Sequence, residues 1–346
     1  MSGRTPGAAW WPASKAREVL AASTPTRSMP LAGGNGWVSC GPTAPVWLGW
    51  TLLLLAACSS SSADGSPRPE VEQFSFVPKG WAAPFVGLRC EVVEDLLVDR
   101  FEVTRERWEF WRGRSDATLA SLAYWGQIDE GRHLPAVGMT HGEAEALAAA
   151  RGMRLPTVAE WMFIAGGSRA QSWPHGNIRR VSVANTVEMG LGHLAPVGTF
   201  PGGASTGTGV EDLIGNVWEW VARPLPDRVE PMAWRLQGRS PYALWAMGGS
   251  FQVSAQELFS FDGMRRFNAT GLEAGHRADD LGLRCVVGAR GYLLEHAPTW
   301  SQPALRERML AVGRSWGRRA VPLLSRLVEE EGSARALAWL LEGAKG

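Results

Sequence analysis

Glu219 stands between Trp218 and Trp220, after the run Gly215-Asn216-Val217, and Glu211-Asp212-Leu213-Ile214 lies just upstream. A lone carboxylate among large aromatics is costly to bury unless a donor or a cation satisfies it. Asn216, three residues earlier, adds a side-chain carbonyl. A carboxylate with neutral carbonyl oxygens suits a hard cation such as Ca²⁺. The alternative is a structural turn in which Glu219 accepts hydrogen bonds from backbone N–H groups.

Two other segments join this one. Upstream is Arg154-Leu155-Pro156-Thr157-Val158-Ala159-Glu160-Trp161. Downstream is Met247-Gly248-Gly249-Ser250-Phe251, then Arg265-Arg266, then Gly282-Leu283-Arg284-Cys285. With Glu102-Val103-Thr104 near the start, the order RLPTxAEW, GNVWEW, GGSF, GLRC resembles the formylglycine-generating enzyme, or sulfatase-modifying factor, domain family. The likeness runs over about residues 72–288. It implies an α+β, loop-rich, C-type-lectin-like fold with small antiparallel sheets.

The resemblance also implies what chemistry to look for. Catalytic members bind copper through two cysteines that follow the GGS motif, and here those positions hold Val253 and Leu258. Neither supplies the soft thiolate that copper(I) requires, so no copper is expected. Ser250, Phe251, Val253, Leu258 and Arg266 are the expected pocket residues. Ser250 has no adjacent base to make it a nucleophile, and no catalytic residue is assigned. The family's calcium site on the GNVWEW turn maps onto Ile214, Asn216, Val217 and Glu219. A second maps onto Ala184-Asn185-Thr186, with Met189 where an Asp is expected and Glu188 beside it. Another branch of the superfamily uses non-haem iron. His133, His141, His175, His193 and His276 form no short cluster of ligand spacing, and read as solvated or capping histidines.

These residues need elements to hold them. Phe74 to Gly80 reads as an alternating strand ending in a turn, and Leu96 to Thr104 as a second strand. Thr104 is placed to cap a helix running through Trp111. Thr140 with Glu143, and Thr157 with Glu160, are capping boxes for two more. Beyond Gly166 regular signals are few until Gly282. Residues 289–346 lie outside the resemblance and carry apolar residues at helical spacing, which predicts two or three amphipathic helices. Their apolar face packs on the main domain or docks a partner helix.

The amino-terminal part reads differently. Residues 1–45 lack periodicity and read as a disordered or mis-started leader. Residues 46–58 form an apolar run too short to span a bilayer, with the length of a signal-peptide core. It ends Leu-Ala-Ala-Cys, which resembles a lipobox with Cys58 as the lipidated residue. Residues 59–71 form a Ser/Pro/Gly tether, ahead of a domain at 72–288 and a helical tail at 289–346. An exported domain would keep Cys90 and Cys285, either as one disulfide or as two buried thiols. The net charge is +1, which gives no electrostatic case for nucleic acid. The expected protein is an extracytoplasmic lipoprotein, in the outer membrane if the cell has one. Its domain would bind an unknown ligand or protein partner without catalysis. The alternatives are an oxidoreductase acting on a protein Cys and a non-haem iron enzyme.

Overall fold

The computed structural model describes residues 70–85, 88–112, 131–222, 244–255, 269–330 and 335–346. Residues 1–69, and with them Cys58, lie outside the described residues, as do Leu258 and Arg266.

Two small sheets carry the domain. The first has the order β1-β4-β9, from Phe74–Val77, Leu96–Asp99 and Val286–Gly288, all antiparallel. The residues of β1 and β4 are buried on both faces, the polar Ser75 and Asp99 included. The second sheet has the order β7-β6-β5-β8, from Ala269–Leu272, Leu244–Met247, Trp218–Trp220 and Leu281–Leu283. Its β5–β8 pair is parallel, the one departure from antiparallel pairing among the described strands. Strands β2 (Gly80–Phe85) and β3 (Leu88–Val92) make a separate hairpin.

The three capped helices form at the expected places. Helix α1 spans Arg105–Arg112, and the Arg107 amide donates to the Thr104 hydroxyl at 3.3 Å. Helices α2 (His141–Ala150) and α3 (Val158–Gly166) both carry complete capping boxes. Each box satisfies orphan amides at both the cap and the third helical position.

The carboxy-terminal segment forms four helices, more than the sequence pattern indicated: α4 (Ala289–Trp300), α5 (Arg306–Trp316), α6 (Val321–Glu330) and α7 (Arg335–Lys345). Gly313 and Gly343 let α5 and α7 touch backbone to backbone; a Cβ at either would lie 2.1–2.2 Å from a carbonyl oxygen of the other helix. The helices pack on the main domain. Trp316 is fully buried and donates from Nε1 to the Phe74 carbonyl at 2.8 Å, while Arg308 pairs with Glu72. Leu324, Leu337 and Leu340 belong to one core cluster with Trp108, Trp220 and Leu283. The tail is therefore built into the domain core. Among the described residues no helix is long and apolar enough to cross a membrane.

Candidate functional site

The link Arg284-Cys285 carries the chain from β8 in the second sheet to β9 in the first. The parallel register places Gly282 opposite Glu219. Two residues on, Arg284 falls on the same face of the extended chain. Its guanidinium is fully buried. Arg284 donates from Nη2 to Glu219 Oε1 at 2.7 Å and from Nε to both carboxylate oxygens at 3.1 Å. Nη1 donates to the Asp99 carbonyl and Nη2 to the Glu211 carbonyl, each at 2.8 Å. Trp161 Nε1 completes the set, donating to Glu219 Oε2 at 2.7 Å.

This geometry does not fit calcium at Glu219. Both carboxylate oxygens accept from protein donors, and a bound cation would sit beside a buried guanidinium. Asn216 is satisfied too: its Oδ1 accepts from Ala195 N and Asn185 Nδ2, and its Nδ2 donates to Glu102 Oε2 at 2.7 Å. Glu219 is thus held by side-chain donors, the Arg284 guanidinium and the Trp161 indole, in place of the backbone amides expected. Gly215 has φ 75°, and a Cβ there would lie 2.2 Å from the Asn185 carbonyl. Asn216 follows with φ 60°, a left-handed conformation that Asn tolerates.

Two further carboxylates crowd the same region. Glu102 is buried, and burial, with Asp212 and Glu219 adding like charge, pushes its carboxyl well above the usual range. Asp212 accepts from Gly198 N at 2.6 Å; burial, with help from Glu211 and Glu219, raises it to about 6. Sequence reasoning gave Arg284, Glu102 and Asp212 no role. The readable signal was a charge inside an apolar strand-like run, as in Leu283-Arg284-Cys285.

The expected calcium partner Glu188 is also spoken for. Its carboxylate accepts from Ala255 N at 2.9 Å and from the hydroxyls of Ser254 and Thr186 at 2.7 Å. Burial pushes it up, but these bonds prevail and hold it at about 2. Asn185 Oδ1 is buried without a hydrogen-bond donor. Among the described residues no group of three His, Cys, Asp or Glu is placed to hold a metal.

The expected pocket is partly redrawn. Ser250 is fully buried, its hydroxyl donating to Asp280 at 2.6 Å, so it shapes the turn and does not face a ligand. Val253 is half-buried against the second core cluster. Beside them opens a cleft of about 490 Å³ lined by Val187, Gly190, Gly192, Phe251, Gln252 and Asp279. Ile178, Val181, Met189 and Leu191, from the same loop, are exposed.

Of the two alternatives for Cys285, a disulfide or a buried thiol, the structure has the buried thiol. Cys285 is a free, buried thiol, raised to about 12 mainly by burial. It directly precedes β9, which pairs with β4, whereas Cys90 lies in the separate β2–β3 hairpin. His141 is also not solvated: it is fully buried, donates from Nε2 to the Val221 carbonyl at 2.8 Å and meets Trp220 edge to face.

A family model described as Sulfatase-modifying factor enzyme 1-like domain matches residues 75–289. The chain belongs to this family. Among its sulfatase-modifying-factor relatives, "Inactive C-alpha-formylglycine-generating enzyme 2" of Bos taurus is 29% identical over 254 residues, 64% of this chain and 70% of that protein. "Hercynine oxygenase" of Mycolicibacterium smegmatis is 34% identical over 33% of this chain and 30% of its own. "Formylglycine-generating enzyme" of Mycobacterium tuberculosis is 35% identical over 25% and 32%. The chain thus spans about a third of the length of these two enzymes. Of solved structures, "Structure of PvdO from Pseudomonas aeruginosa" aligns at 20% identity with a TM-score of 0.45, covering 61% of this chain and 92% of that one. Helices α4 to α7, apart from Ala289, lie beyond the sulfatase-modifying-factor match, and so distinguish this chain's fold from the family model alone.

Proposed function

We propose that this chain is a non-catalytic, ligand-binding member of the sulfatase-modifying-factor family, held outside the cytoplasm by a lipid on Cys58. The observation that carries the reading is Val253, half-buried in the turn whose amide donates to the Ser250 carbonyl at 3.1 Å. Where the resemblance calls for a thiolate, a branched hydrocarbon faces the second core, and it cannot ligate copper(I). The relative whose printed name is "Inactive" supports the same direction. The cleft beside this turn combines apolar walls at Val187 and Phe251 with the exposed carboxylate of Asp279. It suits a partner segment that brings an apolar side chain and a donor or cation. Exposed apolar groups clustered at a cleft mark interaction sites more often than scattered ones do.

The test is incubation of the domain with copper(I), O₂ and a peptide carrying the sulfatase Cys motif, with aldehyde read by hydrazide labelling. No aldehyde above a protein-free control is expected. Aldehyde that disappears on Val253 substitution would overturn the reading.

A further inference from the structure

A second cleft, of about 430 Å³, opens far from Val253 in the chain's connectivity, at the seam between the family domain and the added helices. Trp111 at the end of α1, Arg151 after α2, and Gly291, Tyr292, Glu295 and His296 of α4 line it. Three observations mark it as built for a ligand. First, Tyr292 is 6% exposed, yet its hydroxyl has no hydrogen-bond partner among the described residues while the residue lines the cleft. Burial raises that phenol, so it remains an O–H donor. Second, Gly291 sits inside a helix, where Gly costs about 1 kcal/mol relative to Ala, and a Cβ there would meet nothing within 4 Å. Gly291 lines the cleft, so a side chain there would occupy its open space. Third, Glu295 is exposed at the cleft with no ion pair or hydrogen bond among the described residues.

The charges set the ligand's sign. Arg151 is held by Asp99 through two 2.7 Å bonds, with Glu70 at 3.4 Å, and Arg107 adds a second cation to this buried set. Two arginines and two carboxylates cancel, leaving Glu295 as the uncompensated charge. His296 donates from Nδ1 to the Tyr292 carbonyl at 3.0 Å, which in the neutral ring leaves Nε2 as an acceptor. The His296 ring stacks on Tyr292 at 4.1 Å, and Trp111 supplies another aromatic wall. Aromatic surfaces beside an unpaired carboxylate favour a cation.

We propose that this seam cleft binds a small flat organic cation whose N–H groups reach Glu295 and His296 while an acceptor or its ring meets the Tyr292 hydroxyl. The added helices thereby give this chain a binding site that the family domain alone does not form.

The probes are benzamidine, benzamide and benzoate, one shape with charge +1, 0 and −1, titrated calorimetrically into the full chain. Benzamidine should bind saturably, at least about threefold more tightly than benzamide, the scale of an exposed ion pair, and benzoate weakest. Glu295→Gln should remove the preference for benzamidine over benzamide. Gly291→Leu should abolish binding while the circular dichroism spectrum is retained; Gly291→Ala, a milder filling, covers the case in which the larger variant misfolds. Equal binding of benzoate and benzamidine, no saturable benzamidine binding, or benzamidine binding unaltered by either Gly291 substitution would each overturn the proposal.

Discussion

Arg284 and Glu219 form a fully buried ion pair, 2.7 Å from Nη2 to Oε1, that ties the two sheets of the domain together. The same guanidinium reaches the Asp99 carbonyl at the end of β4. Losing one partner of such a pair strands a charge in the core, at a cost of roughly 3–5 kcal/mol. Its value lies in specifying how the sheets meet, because desolvation offsets much of the Coulomb attraction.

Glu219→Gln should therefore lower the unfolding free energy by roughly 3–5 kcal/mol, equally with calcium and with a chelator. Urea denaturation in both buffers measures this. A wild-type midpoint that rises with Ca²⁺ and a variant that has lost this response would restore the calcium reading of the 214–219 turn.

Asp212 gives the domain an acid-side stability. Its folded pKa, about 6, exceeds the ordinary aspartate value of 3.8. A raised folded pKa means the native state holds the proton more tightly. The contribution is complete below about pH 4 and is lost as pH rises through about 6. With the carboxyl raised from 3.8 to about 6, it amounts to about 3 kcal/mol. Glu102, also raised, acts in the same direction. Asp212→Asn keeps an acceptor for Gly198 N and tolerates the residue's φ of 53°. It should flatten the fall in stability between pH 4 and 6 and raise stability at pH 7. A variant with the wild-type pH profile would exclude Asp212 as the titrating group.

Trp316→Ala should cost about 3–5 kcal/mol, since it empties a fully buried site and orphans the Phe74 carbonyl. A chain ending at residue 288 should fail to fold, because it would expose the shared core cluster. Equal urea midpoints for the truncated and full chains would show that the helices are an independent unit.

Cys58→Ala should release the protein from membranes if the lipobox reading holds. Fractionation followed by immunoblotting decides it; retention in the membrane pellet would rule out Cys58 as the anchor.

The sequence alone determined the family and the three capped helices. Thr104, Thr140 with Glu143, and Thr157 with Glu160 act on amides within a few residues of themselves, so their work is visible in local spacing. It also determined that Val253 and Leu258 bring no thiolates, since side-chain chemistry needs no coordinates. The short strands β5, β6 and β7 escaped it, because three or four residues are too few for an alternation to show. Only the tertiary structure decided what satisfies Glu219. The need for a partner was legible from the flanking tryptophans, but Arg284 lies 65 residues away. A cation and a guanidinium meet that need equally well on paper, and only the parallel β5–β8 register brings one of them to the carboxylate. Cys90 and Cys285 make the same point. Two cysteines in strand-like runs look pairable until the fold puts Cys90 in the β2–β3 hairpin and Cys285 in the link before β9.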